Sequence, residues 1–96
     1  MKVSVLDYGV IDNEKTPQEA LLETRCLAQV ADKLRFHRFW VAEHHNIYAF
    51  ATSSPELLMM HLADHTKQIR IGSGGIMPLH YSSFKIAEWM MTLEAL

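Results

Sequence analysis

Cysteine occurs once, at Cys26, so no internal disulfide can form and a stapled secreted scaffold is excluded. Neither sign of charge is in excess: nine Lys and Arg stand against eleven Asp and Glu, for a formal net charge of −2. The basic residues are scattered, which removes the electrostatic footprint expected of a nucleic-acid binder. No apolar run approaches the ~20 residues needed to span a bilayer. The N-terminal "MKVSVLDYGVIDNE" places a lysine ahead of apolar residues, but Asp7 and Asp12 interrupt it too early for a signal-peptide core. Low-complexity tracts, linkers and internal repeats are missing too. What remains is an ordinary globular composition, 49% apolar and 21% charged. A cytoplasmic chain that binds neither nucleic acid nor membrane is expected.

The chain alternates strand and helix signals. "VSVLDYGV" (Val3 to Val10) reads as a strand buried on both faces. Thr16-Pro17-Gln18-Glu19 combines a capping box with proline at the first helical position. Ala20, Leu21, Thr24, Leu27, Ala28, Ala31 and Leu34 then recur at three- and four-residue steps, one apolar stripe suited to packing on a sheet. Strand character resumes from Phe39 to His44. An aperiodic loop, "NIYAFATSS", leads to Ser54-Pro55, a second cap with proline at N1, and to a helix over Leu57 to Thr66. Loops of this length in α/β folds tend to carry function. "IRIGSGGIM" (Ile69 to Met77) is a third strand turning glycine-rich, and Ser82 or Ser83 caps a third helix through Ile86, Ala87, Met90 and Leu93.

The order βαβαβα defines an α/β class with a parallel sheet and right-handed helical crossovers. A closed barrel of such units needs eight strands and about 250 residues, and an open three-stranded sheet would leave two edges unpaired. Residues 1–96 are therefore expected to be the N-terminal part of a larger domain, and the third helix has no glycine, asparagine or proline stop signal after "MMTLEAL".

In parallel α/β folds ligands sit at the C-terminal strand ends. Three segments qualify: Asp7-Tyr8-Gly9, Glu43-His44-His45, and Ser73-Gly74-Gly75-Ile76-Met77. Histidine titrates near neutrality and can hold or move a proton there. Strand parity separates the two histidines, His44 lying with Trp40 and Ala42, His45 with Phe39, Val41 and Glu43. Both sets are apolar, so parity does not choose between them. Gly74-Gly75 permits close backbone approach to a flat ligand, and "GSGG" fails the phosphate-loop pattern because no lysine follows. His61 and His65 have a zinc-like i, i+4 spacing, with His37 and His80 among six histidines in all. Leu62 stands where a general-base glutamate would follow the first of the pair, and no metal site is expected. Met59, Met60, Met90 and Met91 read as packing residues.

"WVAEHHN", "ATSSPELLMMHLADHTKQIRIGSGGIM" and "KIAEWMMTLEAL" together resemble the N-terminal part of bacterial luciferase-like, flavin-dependent monooxygenases, the likeness running from Val3 to Leu96. The resemblance implies a TIM barrel of eight βα units, this chain forming the first three. It implies reduced FMN at the barrel mouth, reaction with O2 to a flavin C4a-peroxide, and oxygen insertion into a small organic substrate. His44 is implied as catalytic, with Glu43, His45, Gly74 and Gly75 as cofactor-binding residues. Gly74-Gly75 aligns with a stretch that in such proteins can hold a non-prolyl cis peptide. Flavin supplied by a reductase and a homo-oligomeric enzyme are further implications. Met77 and Ser83 depart from the leucine and proline common in the family, which implies a re-aimed turn at His80. The later strands that supply most cofactor contacts are absent from the chain, so these residues by themselves are expected to be inactive. The superfamily also contains deazaflavin-dependent reductases, and a non-catalytic flavoprotein or assembly module is the alternative of a different class.

Overall fold

A computed structural model describes residues 1–12 and 14–96. Three parallel strands, β1 (Ser4–Asp7), β2 (Arg38–Val41) and β3 (Arg70–Ser73), lie in the order β1-β2-β3 and alternate with helices α1 (Pro17–Lys33), α2 (Pro55–Asp64) and α3 (Ser83–Ala95). A single 3₁₀ turn, Pro78–His80, precedes α3. The βαβαβα expectation is thus met.

The start of α1 follows from its capping box. The Thr16 hydroxyl accepts from the Glu19 N–H at 3.2 Å, while the Glu19 carboxylate accepts from the Thr16 N–H at 2.7 Å. Two orphan donors of the first turn are thereby satisfied reciprocally. Ser82 caps α3 by accepting from the Lys85 N–H at 3.0 Å. Ser54 flanks α2 but its side chain makes no capping bond, so Pro55 marks that start through its fixed φ alone.

Parallel register places Val5, Phe39 and Ile71 on one face of the sheet and Leu6, Trp40 and Gly72 on the other. The first face carries the core: Phe39 and Val41 are buried with Ala28 and Ala31 of α1 and Leu58, Met59 and Leu62 of α2. Among the described residues no layer covers the second face. Leu6 is 49% exposed and Ser4 is exposed as well, so β1 is half-buried on one face and open on the other, against the two-sided burial its run of apolar residues suggests.

Other expectations shift in the same way. Within the α1 stripe, Ala20, Thr24, Ala28 and Ala31 are buried, whereas Leu27 and Leu34 are exposed. Leu27 opens onto a cleft shared with Asp7 and Val10, at the free edge of β1. Met59 is core, but Met60, Met90 and Met91 are exposed. All three strands end earlier than their apolar runs. β2 stops at Val41 because the next residues leave the ladder, with His44 N–H donating at 2.8 Å to the Thr52 carbonyl in the following loop.

Asp32, near the end of α1, holds the α2–β3 connection. Its carboxylate accepts from the backbone N–H groups of Lys67, Gln68 and Ile69 at 2.8, 2.9 and 2.8 Å. Burial pushes the Asp32 carboxyl up, but those three donors outweigh it and hold the group below its ordinary value.

Candidate active site

The three strands end on one side of the sheet, and their loops meet there. The loop after β1 pairs with the long loop after β2: Ile11 N–H donates to the Ala49 carbonyl at 2.8 Å, Ala51 N–H to the Gly9 carbonyl at 2.9 Å, and Val10 bridges Phe50 antiparallel. The middle of "NIYAFATSS", Ala49 to Thr52, is therefore docked, while Tyr48 is exposed. Thr52, 1% exposed, joins both sides, its hydroxyl donating to the Tyr8 carbonyl at 3.0 Å and its carbonyl accepting from His44. Gly9 has φ +58, in the left-handed region, and a Cβ there would stand 2.8 Å from Thr52 Cγ2. Glycine is thus required at this crossing for both conformation and space.

This docking fixes His44. Its ring joins a three-ring cluster, with centroids 4.9 Å from Phe50 and 5.5 Å from Tyr8, which themselves lie 5.6 Å apart. The Nδ1 atom is buried and has no hydrogen-bond partner among the described residues. Buried polar atoms are rarely left unpaired, and His45 Nε2 shares this state, buried with no partner among the described residues. His44 lines a concave site of about 230 Å³ together with Tyr8, Gly74, Gly75 and Met77, drawn from the ends of all three strands.

His45 takes the other direction. Its ring meets His80 edge-on at 4.6 Å, and its Nε2 stands 3.4 Å from Glu43 Oε1, too far for a strong hydrogen bond. It does not line the cavity. The two rings point to different places, His44 to the cavity and His45 to His80, although both residues lie past the end of β2.

Glu43 is buried, its side chain 1% exposed, and both carboxylate oxygens are engaged. Oε2 accepts from the Met77 N–H and Oε1 from the Tyr81 hydroxyl. Burial pushes the Glu43 carboxyl up, but the Tyr81 hydroxyl, the Met77 N–H and His45 together hold it below its ordinary value. The same bond, helped by burial, pushes the Tyr81 phenol up to about 12. Tyr81 therefore remains a protonated donor at neutral pH.

On the third loop the Ser73 hydroxyl donates to the Gly75 carbonyl, and Gly74 N–H donates to the Val41 carbonyl at 2.7 Å. A Cβ on Gly74 would meet Leu6 Cδ1 at 2.9 Å, while one on Gly75 would meet nothing within 4 Å. Gly74 is small for packing, and Gly75 borders open space. Every described peptide bond is trans, including the Gly74-Gly75 link, which aligns with a stretch that can be cis in the family the sequence resembles.

Several candidates fall outside this site. The Asp7 carboxylate turns toward α1, accepting from the Thr24 hydroxyl at 2.5 Å and from the Gly9 N–H at 3.1 Å. His61 and His65 stack on α2 with centroids 4.3 Å apart, and His65 Nδ1 donates to the His61 carbonyl at 2.7 Å. Among the described residues, no three His, Cys, Asp or Glu side chains converge as a metal ligand set. His80, in the 3₁₀ turn, reaches the edge of the site through His45. Sequence reading missed Phe50, Thr52 and Tyr81. Phe50 and Thr52 sit in an aperiodic loop and Tyr81 in a turn, where no periodic signal assigns a direction.

Parallel strands whose C-terminal loops gather a histidine and a glycine pair place a ligand-sized cleft where α/β folds carry their sites. The luciferase-like monooxygenase family model matches residues 1–96, and the chain belongs to that family. It is 47% identical over all 96 residues to the N-acetyl-S-alkylcysteine monooxygenase of Bacillus subtilis (strain 168), of which it covers 29%. Among solved structures, apo-MsnO8 superposes with a TM-score of 0.95 at 41% identity, over 98% of this chain and 29% of that one. The oxygenating constituent of 3,6-diketocamphane monooxygenase from Pseudomonas putida, solved in complex with FMN, shares the fold with a TM-score of 0.87 at 19% identity, over 97% of this chain and 26% of that one. The chain thus spans under a third of the length of these relatives.

Proposed function

We propose that residues 1–96 are the first three βα units of an eight-unit TIM barrel, and that the full-length protein is a cytoplasmic, FMN-dependent monooxygenase acting with O2 on a small organic molecule. One observation carries this reading: His44, whose buried Nδ1 has no hydrogen-bond partner among the described residues, lines a cavity built from the ends of all three strands together with Gly74 and Gly75. Membership in the family and the FMN bound by one structural relative support the choice of cofactor. No described helix is long and apolar enough to cross a membrane.

The residues present fit a flavin on two counts. The space over Gly75 admits a flat ring, and the free nitrogen of His44 can hydrogen-bond to it or to the reacting oxygen. Reduced FMN supplies two electrons for O2 activation, one oxygen atom entering the substrate and the other leaving as water. His44 is the catalytic residue, holding or delivering a proton at Nδ1. Tyr8 and Phe50 flank its ring and exclude water from that side. Gly74 and Gly75 form the seat of the cofactor, with Glu43 bordering it and His45 outside the cavity, beside Glu43. A separate flavin reductase delivers the reduced cofactor, and the enzyme is a homo-oligomer.

The test is single turnover of the full-length protein with reduced FMN under ¹⁸O2 and a mixture of thioether, aldehyde and ketone probes. Incorporation of one labelled atom into a product is expected, and product formation without label overturns the reading. His44→Ala is expected to lower oxygenation by about 10²-fold or more, the scale of a lost general acid–base group, while changing the Kd for reduced FMN less than threefold. Equal loss of both would make His44 a structural residue.

A further inference from the structure

The Glu43 carboxylate does more than border the cavity, because the donors it binds belong to the opposite wall. Glu43 immediately precedes His44 after β2, whereas Met77 and Tyr81 lie after β3. Met77 itself lines the cavity facing His44. One buried carboxylate therefore ties the segment bearing the histidine to the segment bearing the glycine seat. Tyr81 is anchored independently, its ring packing on Trp89 of α3 at 5.5 Å.

We propose that Tyr81 is a positioning residue: through Glu43 it locks the third strand-end loop against the His44 segment and sets the width of the cavity between them. Tyr81 does not line the cavity and acts by orienting other groups. Its hydroxyl has its proton committed to Glu43, and Glu43 has both oxygens committed, so neither is a spare acid or base. Without the hydroxyl, Oε1 would keep only the distant His45 nitrogen, and the bond from Oε2 to Met77 would alone restrain the loop. The consequence for a bound cofactor rests on the FMN reading above.

Hydrogen exchange at the Met77 amide tests the clamp without any ligand. In Tyr81→Phe this amide is expected to exchange about tenfold faster, the effect of losing one hydrogen bond to a charged group. Amides of the β2 ladder should be unchanged. The variant should also bind reduced FMN about tenfold more weakly, while its oxygenation rate at saturating flavin changes less than threefold. Unchanged Met77 exchange overturns the proposal, as does acceleration spread evenly over the sheet, which would mark a purely structural residue. If Tyr81→Phe does not fold, Glu43→Gln serves instead for the exchange measurement, because a neutral amide weakens the charge-assisted bond from Met77 whichever way it turns, and the Met77 amide is again expected to exchange faster. Failure of the unsubstituted full-length protein to bind reduced FMN would overturn the functional reading, and the exchange comparison would still decide the clamp.

Discussion

Glu43 keeps its negative charge almost out of water because two donors, the Met77 N–H and the Tyr81 hydroxyl, face it with the His45 ring nearby, and that balance has two consequences in pH. Its carboxyl is held below the ordinary value of 4.5, so the stability it contributes is present above that value and is lost as pH falls through the lowered one. Tyr81 works from the alkaline side. Its phenol is raised from 10.0 to about 12, so its contribution is complete below the ordinary value and disappears as pH rises toward the raised one. Thermal unfolding followed by circular dichroism should show a plateau between these limits. Glu43→Gln should shrink the acid limb and return the Tyr81 phenol toward its ordinary range in an ultraviolet titration. Gly75 offers a separate prediction. A Cβ there meets open space, so Gly75→Leu should alter stability by less than about 0.5 kcal/mol. The same side chain would fill the seat, and calorimetry should find weakened binding of reduced FMN. Of these residues the Glu-His-His triplet and the glycine pair were legible from the chain. Tyr81 was not, because its partner lies 38 positions away and no local pattern encodes that distance.

The helices owe their starts to short-range signals and their positions to long-range ones. The capping box at Thr16 and Glu19 is complete in four residues, which is why α1 was readable from sequence to within a residue of its observed start. Its docking depends instead on Asp32, which gathers three N–H groups ahead of β3 and fixes where that strand begins. Asp32→Ala would leave those donors without their carboxylate. Because the group is half-exposed and water can replace part of the loss, destabilisation of about 2 kcal/mol is expected in urea unfolding. The deficit should vanish in acid, as Asp32 protonates in the parent chain. A change below about 0.5 kcal/mol would mean that the connection is held by packing alone. The strands were overestimated in length. Apolar character persists beyond Val41 and Ser73, but the chain leaves the ladder there to build the site.

At the scale of the whole molecule, one face of the sheet is covered by helices and the other is bare. Leu6 and Trp40 lie on the bare face, and β1 and β3 each pair along one edge only. Unpaired edges beside exposed apolar side chains favour association. The 96-residue chain studied alone is expected to sediment as dimers or larger species whose size grows with concentration. A stable, folded monomer across the micromolar range would contradict this. The bare face also accounts for the failed expectation of two-sided burial in β1. Its apolar residues are of the kind buried in parallel sheets, while the layer that would cover them is not within these residues.

Sequence alone determined the order of elements, the parallel topology, the capped helix starts and the strand ends at which a site must form. Each of these rests on interactions within a few residues or on the handedness of a crossover. Tertiary structure decided which histidine faces the cavity, that Asp7 turns away from it, and that Glu43 spends its charge on Tyr81 and Met77. Those outcomes depend on contacts spanning 17 to 44 residues. Such contacts exist only once the helices have packed and brought the three strand ends together.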